Sequence, residues 1–449
     1  MSFLQPKHVA SDFPPNEMSA SEAARAIAQG KLTSEALVRA AVERIEARES
    51  TVHAWSSLDF DRAIAAARRC DSSPSRGALH GVPIGVKDVL ATEDFPTEMG
   101  SPIYAGFRTR GDASCVALAR AAGAIVLGKT VTCEFAGVAP GATTNPLDRA
   151  RTPGGSSSGS AAAVADRMVA LALGTQTGGS VLRPASFCGI VGFKPTFGTV
   201  NREGLKFAAE SLDTIGVLTR TIEDAALFAD VLIGAPATPL AMPERRPRIG
   251  LCRTFLWDEK ASAETREAVA ETAARATKAG ARVESFELPE KFARLDKTRA
   301  IINDVERARA LAWEWAEHRD AISPQMRRTI EAGLAIDDTL YREELRFAKD
   351  RRRELDKLLG GFDCLVAPCV NGEAPVGLGY AGDPAFQALW TLLHVPTFSL
   401  PAHVGLAGMP ISIQIIARRG ADRTLLSCAL WLARQAGLDS FRAHSPITN

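Results

Sequence analysis

Apolar positions recur first with helical spacing and then gather into short continuous runs. Residues 19–48 carry the helical pattern twice. Ser19 with Glu22 reads as a capping box, and Gly30 supplies the stop between the two helices. A third helix is predicted over 60–70. The texture then changes. Gly81 to Leu90 reads as a buried strand that contains a lysine, Lys87. Residues 112–122 read as helix and Ala124 to Leu127 as strand. Ala161 to Val164 are helix-like, and the apolar strand Val169 to Leu173 runs into Gly174-Thr175-Gln176-Thr177-Gly178-Gly179-Ser180. Thr221 is the expected N-cap of a helix over 222–232, with Glu223 and Asp224 in its first turn. The proline-rich stretch 234–246 is the best boundary candidate. Beyond it the pattern predicts strand Arg248 to Cys252, helix 263–279 and strand 282–287. Residues 296–358 are charged and almost wholly helical, as expected of a cap. Strand Cys364 to Ala367, a glycine-rich loop over 372–383, strand 411–417 and helix 423–436 complete the chain.

Helices alternating with short apolar strands predict an α/β fold, a large mixed β-sheet flanked by helices. The expected organisation is a single domain over 1–449. Its core lies at about 60–235 and 360–449, and its helical cap at about 296–358. One hydrophobic core usually stops growing near ~250–300 residues, so a chain of 449 needs such a satellite layer.

Composition narrows the function classes. With 46% hydrophobic and 23% charged residues the chain has an ordinary soluble balance. A formal net charge of +1 argues against a nucleic-acid partner. The basic run Arg351-Arg352-Arg353 reads as a solvated helix face. Met1 to Pro15 lacks the basic start and apolar run of a signal peptide. No stretch reaches the ~18 apolar residues of a membrane span. The eight cysteines form no CxxC pair and the seven histidines no HxxxH or HExxH pair. No metal and no cofactor are therefore expected, and free thiols fit a cytoplasmic protein. Quaternary structure is not legible; a homodimer is the assembly allowed for.

Two glycine-serine segments carry the chemistry. One is Thr152-Pro153-Gly154-Gly155-Ser156-Ser157-Ser158-Gly159-Ser160. The other is Thr177-Gly178-Gly179-Ser180, and the two key serines lie 24 residues apart. Either segment alone reads as a helix N-cap; both together with a strand lysine do not. With these motifs the chain resembles the amidase signature family. The match takes in Gly81-Val82-Pro83-Ile84-Gly85-Val86-Lys87-Asp88, Leu127-Gly128-Lys129-Thr130 and both glycine-serine segments. It continues through Phe187-Cys188-Gly189, Gly192-Phe193-Lys194-Pro195-Thr196 and Ser211-Leu212-Asp213-Thr214, with a fainter match at Gly408 to Gln414. The resemblance implies Ser180 as nucleophile, Ser156 as bridging serine and Lys87 as base.

Physical chemistry supports the same assignment. A serine hydroxyl is a poor nucleophile until a base takes its proton, and no histidine lies near either motif. A lysine serves if it is neutral, and burial in an apolar strand lowers its pKa from ~10.4. Lys129 competes for this role, but it is expected at the exposed end of its strand. Backbone N–H groups of Thr177, Gly178, Gly179 and Ser180 are the expected oxyanion hole, where glycines let the backbone approach closely.

The chain departs from the common family pattern in two places. Gln176 stands where many members carry Asp. Leu182 stands where many carry Arg, and Arg183 follows it. Arg183 reads either as a bidentate grip on a substrate carboxylate or as half of a structural ion pair.

Three further motifs are decoys. Gly123 to Thr130 matches the P-loop pattern. Its middle residues are strand-forming and a helix precedes it, so nucleotide binding is rejected. Gly155-Ser156-Ser157-Ser158-Gly159 matches a nucleophile elbow that would make Ser157 the nucleophile, but no apolar strand leads into it. Trp257, Trp313, Trp315 and Trp390 are expected to pack in core or cap, with Trp390 the better candidate for a substrate pocket. Pocket walls are expected from Cys133 to Ala139, 296–345 and 370–395.

The expected function is hydrolysis of a linear carboxylic amide, a small molecule. An ester, urea-like or carbamate substrate stays open. So does a role in a transamidase, handing ammonia on to a partner, although no docking extension is apparent after 246. A pseudo-enzyme scaffold is disfavoured by the intact Lys87, Ser156 and Ser180.

Overall fold

The short apolar runs pair edge to edge into one sheet of eleven strands. In the computed structural model, which describes residues 14–438, these are β1 (Trp55–Leu58), β2 (Pro83–Lys87), β3 (Ile125–Thr130), β4 (Leu171–Gln176), β5 (Val191–Lys194), β6 (Thr214–Thr219), β7 (Arg248–Cys252), β8 (Arg282–Phe286), β9 (Cys364–Pro368), β10 (Thr397–Val404) and β11 (Pro410–Ile416). Their order across the sheet is β1-β3-β2-β4-β6-β5-β10-β11-β9-β7-β8. The sheet is mixed as expected. β2 runs parallel to β3 and β4, and β7 runs parallel to β8 and β9. The strands between them are antiparallel. β2, β3, β4, β5, β6, β9 and β11 are buried along their whole length, because helices cover both faces.

Local signals act where they were read. Ser19 and Glu22 form the capping box of helix Ala20–Ala28. The Thr221 side chain accepts from the Asp224 N–H at the start of helix Ile222–Leu232. Helices Leu295–Ala310, Ala312–Glu317, Pro324–Leu334 and Asp338–Leu358 fill the predicted cap region. Leu295, Ile302 and Val305 from the first of these share an apolar cluster with Leu212, Trp390 and Ile416. The cap is thereby packed onto the sheet and onto helix Ala385–Leu392. No described helix is long and apolar enough to cross a membrane.

Two expectations are overturned. Trp313 is exposed rather than packed in core or cap. Lys129 is fully buried rather than solvated. β3 continues to Thr130, and β1 pairs along it with Ser57 opposite Lys129. The loop after β2 then covers the amine. Lys129 Nζ donates to the Leu90 carbonyl at 2.9 Å and Thr97 Oγ1 at 2.7 Å, and lies 3.0 Å from the Asp88 carboxylate. This lysine is a clamp on residues 88–97. The P-loop-like segment is itself β3, preceded by helix Ser114–Ala121.

Candidate active site

Sheet register brings the key residues together. β2 and β4 are parallel neighbours with Val86 opposite Leu173, so Lys87 and the segment after Gln176 emerge at the same carboxyl end. Ligands of open α/β sheets bind outside such ends. Lys87 is fully buried. Its Nζ donates to Ser156 Oγ at 2.8 Å and to Thr175 Oγ1 at 2.8 Å. Desolvation pushes the ammonium down from 10.5 to about 7. The nearby Cys133 and Asp213 oppose that shift, and the Arg183 and Arg307 charges add to it.

The loop carrying Ser156 is tied down on both sides. The Ser156 carbonyl accepts from the Cys133 N–H at 3.1 Å. Ser157 donates from its hydroxyl to the Thr175 carbonyl and accepts from the Thr175 N–H, both at 3.3 Å. The single proton of that hydroxyl is used in holding the loop against β4, which counts against Ser157 as an elbow nucleophile. A Cβ at Gly155 would lie 2.7 Å from Cys133 Sγ, so glycine is needed for this close approach.

Ser180 sits at the other side of the same loop, 7% exposed. Its carbonyl accepts from the Ser157 N–H at 3.3 Å, and its hydroxyl has no hydrogen-bond partner among the described residues. The Lys87–Ser156 link is thus hydrogen-bonded, while the Ser180 hydroxyl is left unbonded. The N–H groups of Gly178, Gly179 and Ser180 also have no acceptor among the described residues. Consecutive N–H groups without a protein acceptor are available to an anion. Thr177 is fixed by its hydroxyl, which donates to Asp213 at 2.5 Å. Asp213 in turn accepts from the Ala208 N–H at 2.6 Å.

Gln176 occupies the departure from the family pattern. Its Oε1 accepts from the Val181 and Leu182 N–H groups at 3.0 and 3.1 Å, at the start of helix Leu182–Phe187. Arg183 lies in that helix, 5% exposed. Its Nη2 donates to the Gly155 carbonyl at 2.6 Å. Nε and Nη1 are buried without a hydrogen-bond partner, and no described carboxylate lies within ion-pair distance. The ion-pair alternative for Arg183 is therefore not formed. Trp390 is fully buried in the cluster between sheet and cap, and its Nε1 has no partner among the described residues.

Three segments expected to wall the pocket meet here. A Cβ on Gly155 would meet Ala381 at 3.0 Å as well as Cys133, and one on Gly178 would meet Pro384 at 3.3 Å. Arg307, from the cap, donates to the Phe135 carbonyl at 3.1 Å. Thr175, Cys133 and Arg307 carried no motif signal of their own. Thr175 was within reach of sequence reasoning, since it lies five residues before Ser180 on the strand that neighbours β2.

Residues 36–426 match the Amidase family model. The chain belongs to the amidase family. Among its relatives is a glutamyl-tRNA(Gln) amidotransferase subunit of Oleidesulfovibrio alaskensis, 34% identical over 472 residues, covering 93% of this chain and 96% of the other. A crystal structure of an amidase superposes with a TM-score of 0.84 at 31% identity, covering 92% of this chain and 99% of that one. The native peptide amidase of Stenotrophomonas maltophilia superposes with a TM-score of 0.80 at 27% identity, covering 96% and 99%. This chain is therefore similar both to proteins named as amidases and to one named as part of an amidotransferase.

Proposed function

We propose that this protein hydrolyses the C–N bond of a carboxylic amide through an acyl-enzyme on Ser180. The observation that carries the reading is Lys87, a fully buried lysine whose Nζ lies 2.8 Å from Ser156 Oγ. A neutral amine at that position accepts the Ser156 proton along the same line. Ser156 takes the Ser180 proton as Ser180 Oγ attacks the carbonyl carbon. Negative charge grows on the substrate oxygen and is met by the N–H groups of the Thr177–Ser180 loop. When the intermediate collapses, Ser156 passes a proton to the leaving nitrogen and recovers one from Lys87. Water then adds to the acyl group by the same relay, and Ser180 leaves protonated with release of the acid.

Arg183 supplies specificity in this reading. A guanidinium with two unpaired nitrogens beside Gly155 suits a carboxylate on the substrate. Trp390, in helix Ala385–Leu392, packs in the apolar cluster between sheet and cap and is the second candidate for substrate contact. Screening therefore begins with amides that carry a carboxylate, and esters, carbamates and urea-like compounds would use the same atoms. Ser180→Ala should abolish hydrolysis and keep the fold. Full activity in that variant would sink the reading.

A second reading follows from the relatives named as glutamyl-tRNA(Gln) amidotransferase subunits. Glutamine combines an amide with a carboxylate, and the same Ser180 chemistry would release ammonia for a partner. Multiple turnovers by the isolated chain on simple amides favour the hydrolase. Turnover confined to glutamine and dependent on added partner proteins favours the amidotransferase.

A further inference from the structure

We infer that Thr391, with Gln176, is a positioning residue that aims the oxyanion-binding N–H groups at the substrate. The inference rests on the proposed Ser180 chemistry and adds a residue that lies far from Ser180 in sequence. Thr391 Oγ1 donates to the Gly178 carbonyl at 2.7 Å and has a poorer alternative in the Gln387 carbonyl at 3.3 Å. One hydroxyl proton serves one strong bond, so the shorter contact takes it.

The consequence is geometric. The Gly178–Gly179 peptide is trans. In a trans peptide the C=O and the following N–H point in opposite directions. Holding the Gly178 carbonyl against helix Ala385–Leu392 turns the Gly179 N–H away from that helix, and that N–H has no acceptor among the described residues. Glycine flanks this peptide on both sides, so without the tether little else fixes its plane.

Gln176 orients the hydroxyl. Its Nε2 donates to Thr391 Oγ1 at 3.0 Å, which leaves the Thr391 proton free to point at Gly178. Its Oε1 is meanwhile occupied by the Val181 and Leu182 N–H groups. A carboxylate at this position would accept those two bonds but has no donor for Thr391. The departure from Asp at position 176 and the threonine at 391 are thus two parts of one device. Helix Ala385–Leu392 also presses Gln387 against Gly179, where a Cβ would collide with Gln387 Oε1.

The test uses Thr391→Val, Thr391→Ser and Thr391→Ala in the full chain. The readout is the second-order rate at which a small fluorophosphonate labels Ser180, because its P=O oxygen must enter the same N–H groups. Thr391→Val should slow labelling tenfold or more, and Thr391→Ser should restore it to within twofold of the unmodified protein. On a hydrolysed amide, kcat should fall with labelling while KM stays within twofold, a split that a merely structural threonine would not produce. Gln176→Leu should slow labelling on its own and add little to Thr391→Val. If the valine variant fails to fold, Thr391→Ala carries the same expectation. A folded Thr391→Val or Thr391→Ala protein labelled within twofold of the parent would overturn the inference, as would a serine variant as slow as the valine one. Absence of any Ser180 adduct in the unmodified protein would overturn the Ser180 reading and this inference together, and is distinct from equal labelling of parent and variant.

Discussion

Replacing Lys87 with methionine removes the amine and keeps an unbranched chain of similar bulk. Burial holds the Lys87 pKa at about 7, down from 10.5. At pH 7 about half of the molecules then hold a neutral base, against roughly one in 3,000 for an unshifted lysine, a difference of about 5 kcal/mol. Below pH 7 Lys87 is protonated and cannot accept the Ser156 proton. The kcat/KM of the parent should therefore fall about tenfold per pH unit below 7 and level off above it, because this parameter reports the free enzyme. Lys87→Met should lose activity at every pH. Stability gives an independent readout. The folded pKa lies below the unfolded one, so between about 7 and 10.5 the unfolded chain binds a proton that the folded chain does not. The cost to folding is complete below pH 7 and gone above 10.5, so stability rises with pH across that window. Urea denaturation at pH 7 and pH 9.5 should show that rise in the parent and a smaller one in Lys87→Met. A Lys87→Met protein with parental activity, or a parent whose acid limb has its midpoint above pH 9, would refute the argument.

Other residues make separate predictions. Arg183→Met should raise KM at least tenfold more for carboxylate-bearing amides than for neutral ones; equal effects on both would remove Arg183 from recognition. Lys129→Met leaves Asp88 buried without its 3.0 Å partner. It should cost about 3–5 kcal/mol in denaturation experiments, while Ser180 labelling in the folded fraction stays near the parental rate. His318→Gln and His403→Gln, made separately, should each keep near-parental turnover, since neither side chain contacts the Lys87–Ser156–Ser180 loops; loss of activity in either would reopen a histidine-based mechanism.

Much of this arrangement was legible because the relevant signals are local. Pro83 to Lys87 is an unbroken buried strand that ends on a lysine, and a charged group in such a run demands a chemical reason. The two glycine-serine segments are similarly distinctive. What escaped the sequence depends on tertiary pairing. Trp55-Ser56-Ser57-Leu58 has too few apolar residues to announce β1, yet that strand flanks Lys129 and contradicts its expected exposure. β5 and β6 mix glycine, threonine and lysine with their apolar residues, so they have no period to read. Thr175 belongs to no motif, and its partnership with Lys87 exists only because β4 lies beside β2. The Gln176–Thr391–Gly178 chain joins residues separated by more than 200 positions, which no local pattern spans.

The most direct test of the central claim is peptide mapping of the intact protein after fluorophosphonate treatment, carried out in parallel on the parent and on Lys87→Met. The account predicts a single adduct on Ser180 in the parent and its loss in the variant. An adduct on Ser157, or equal labelling of Ser180 with and without the lysine, would contradict it.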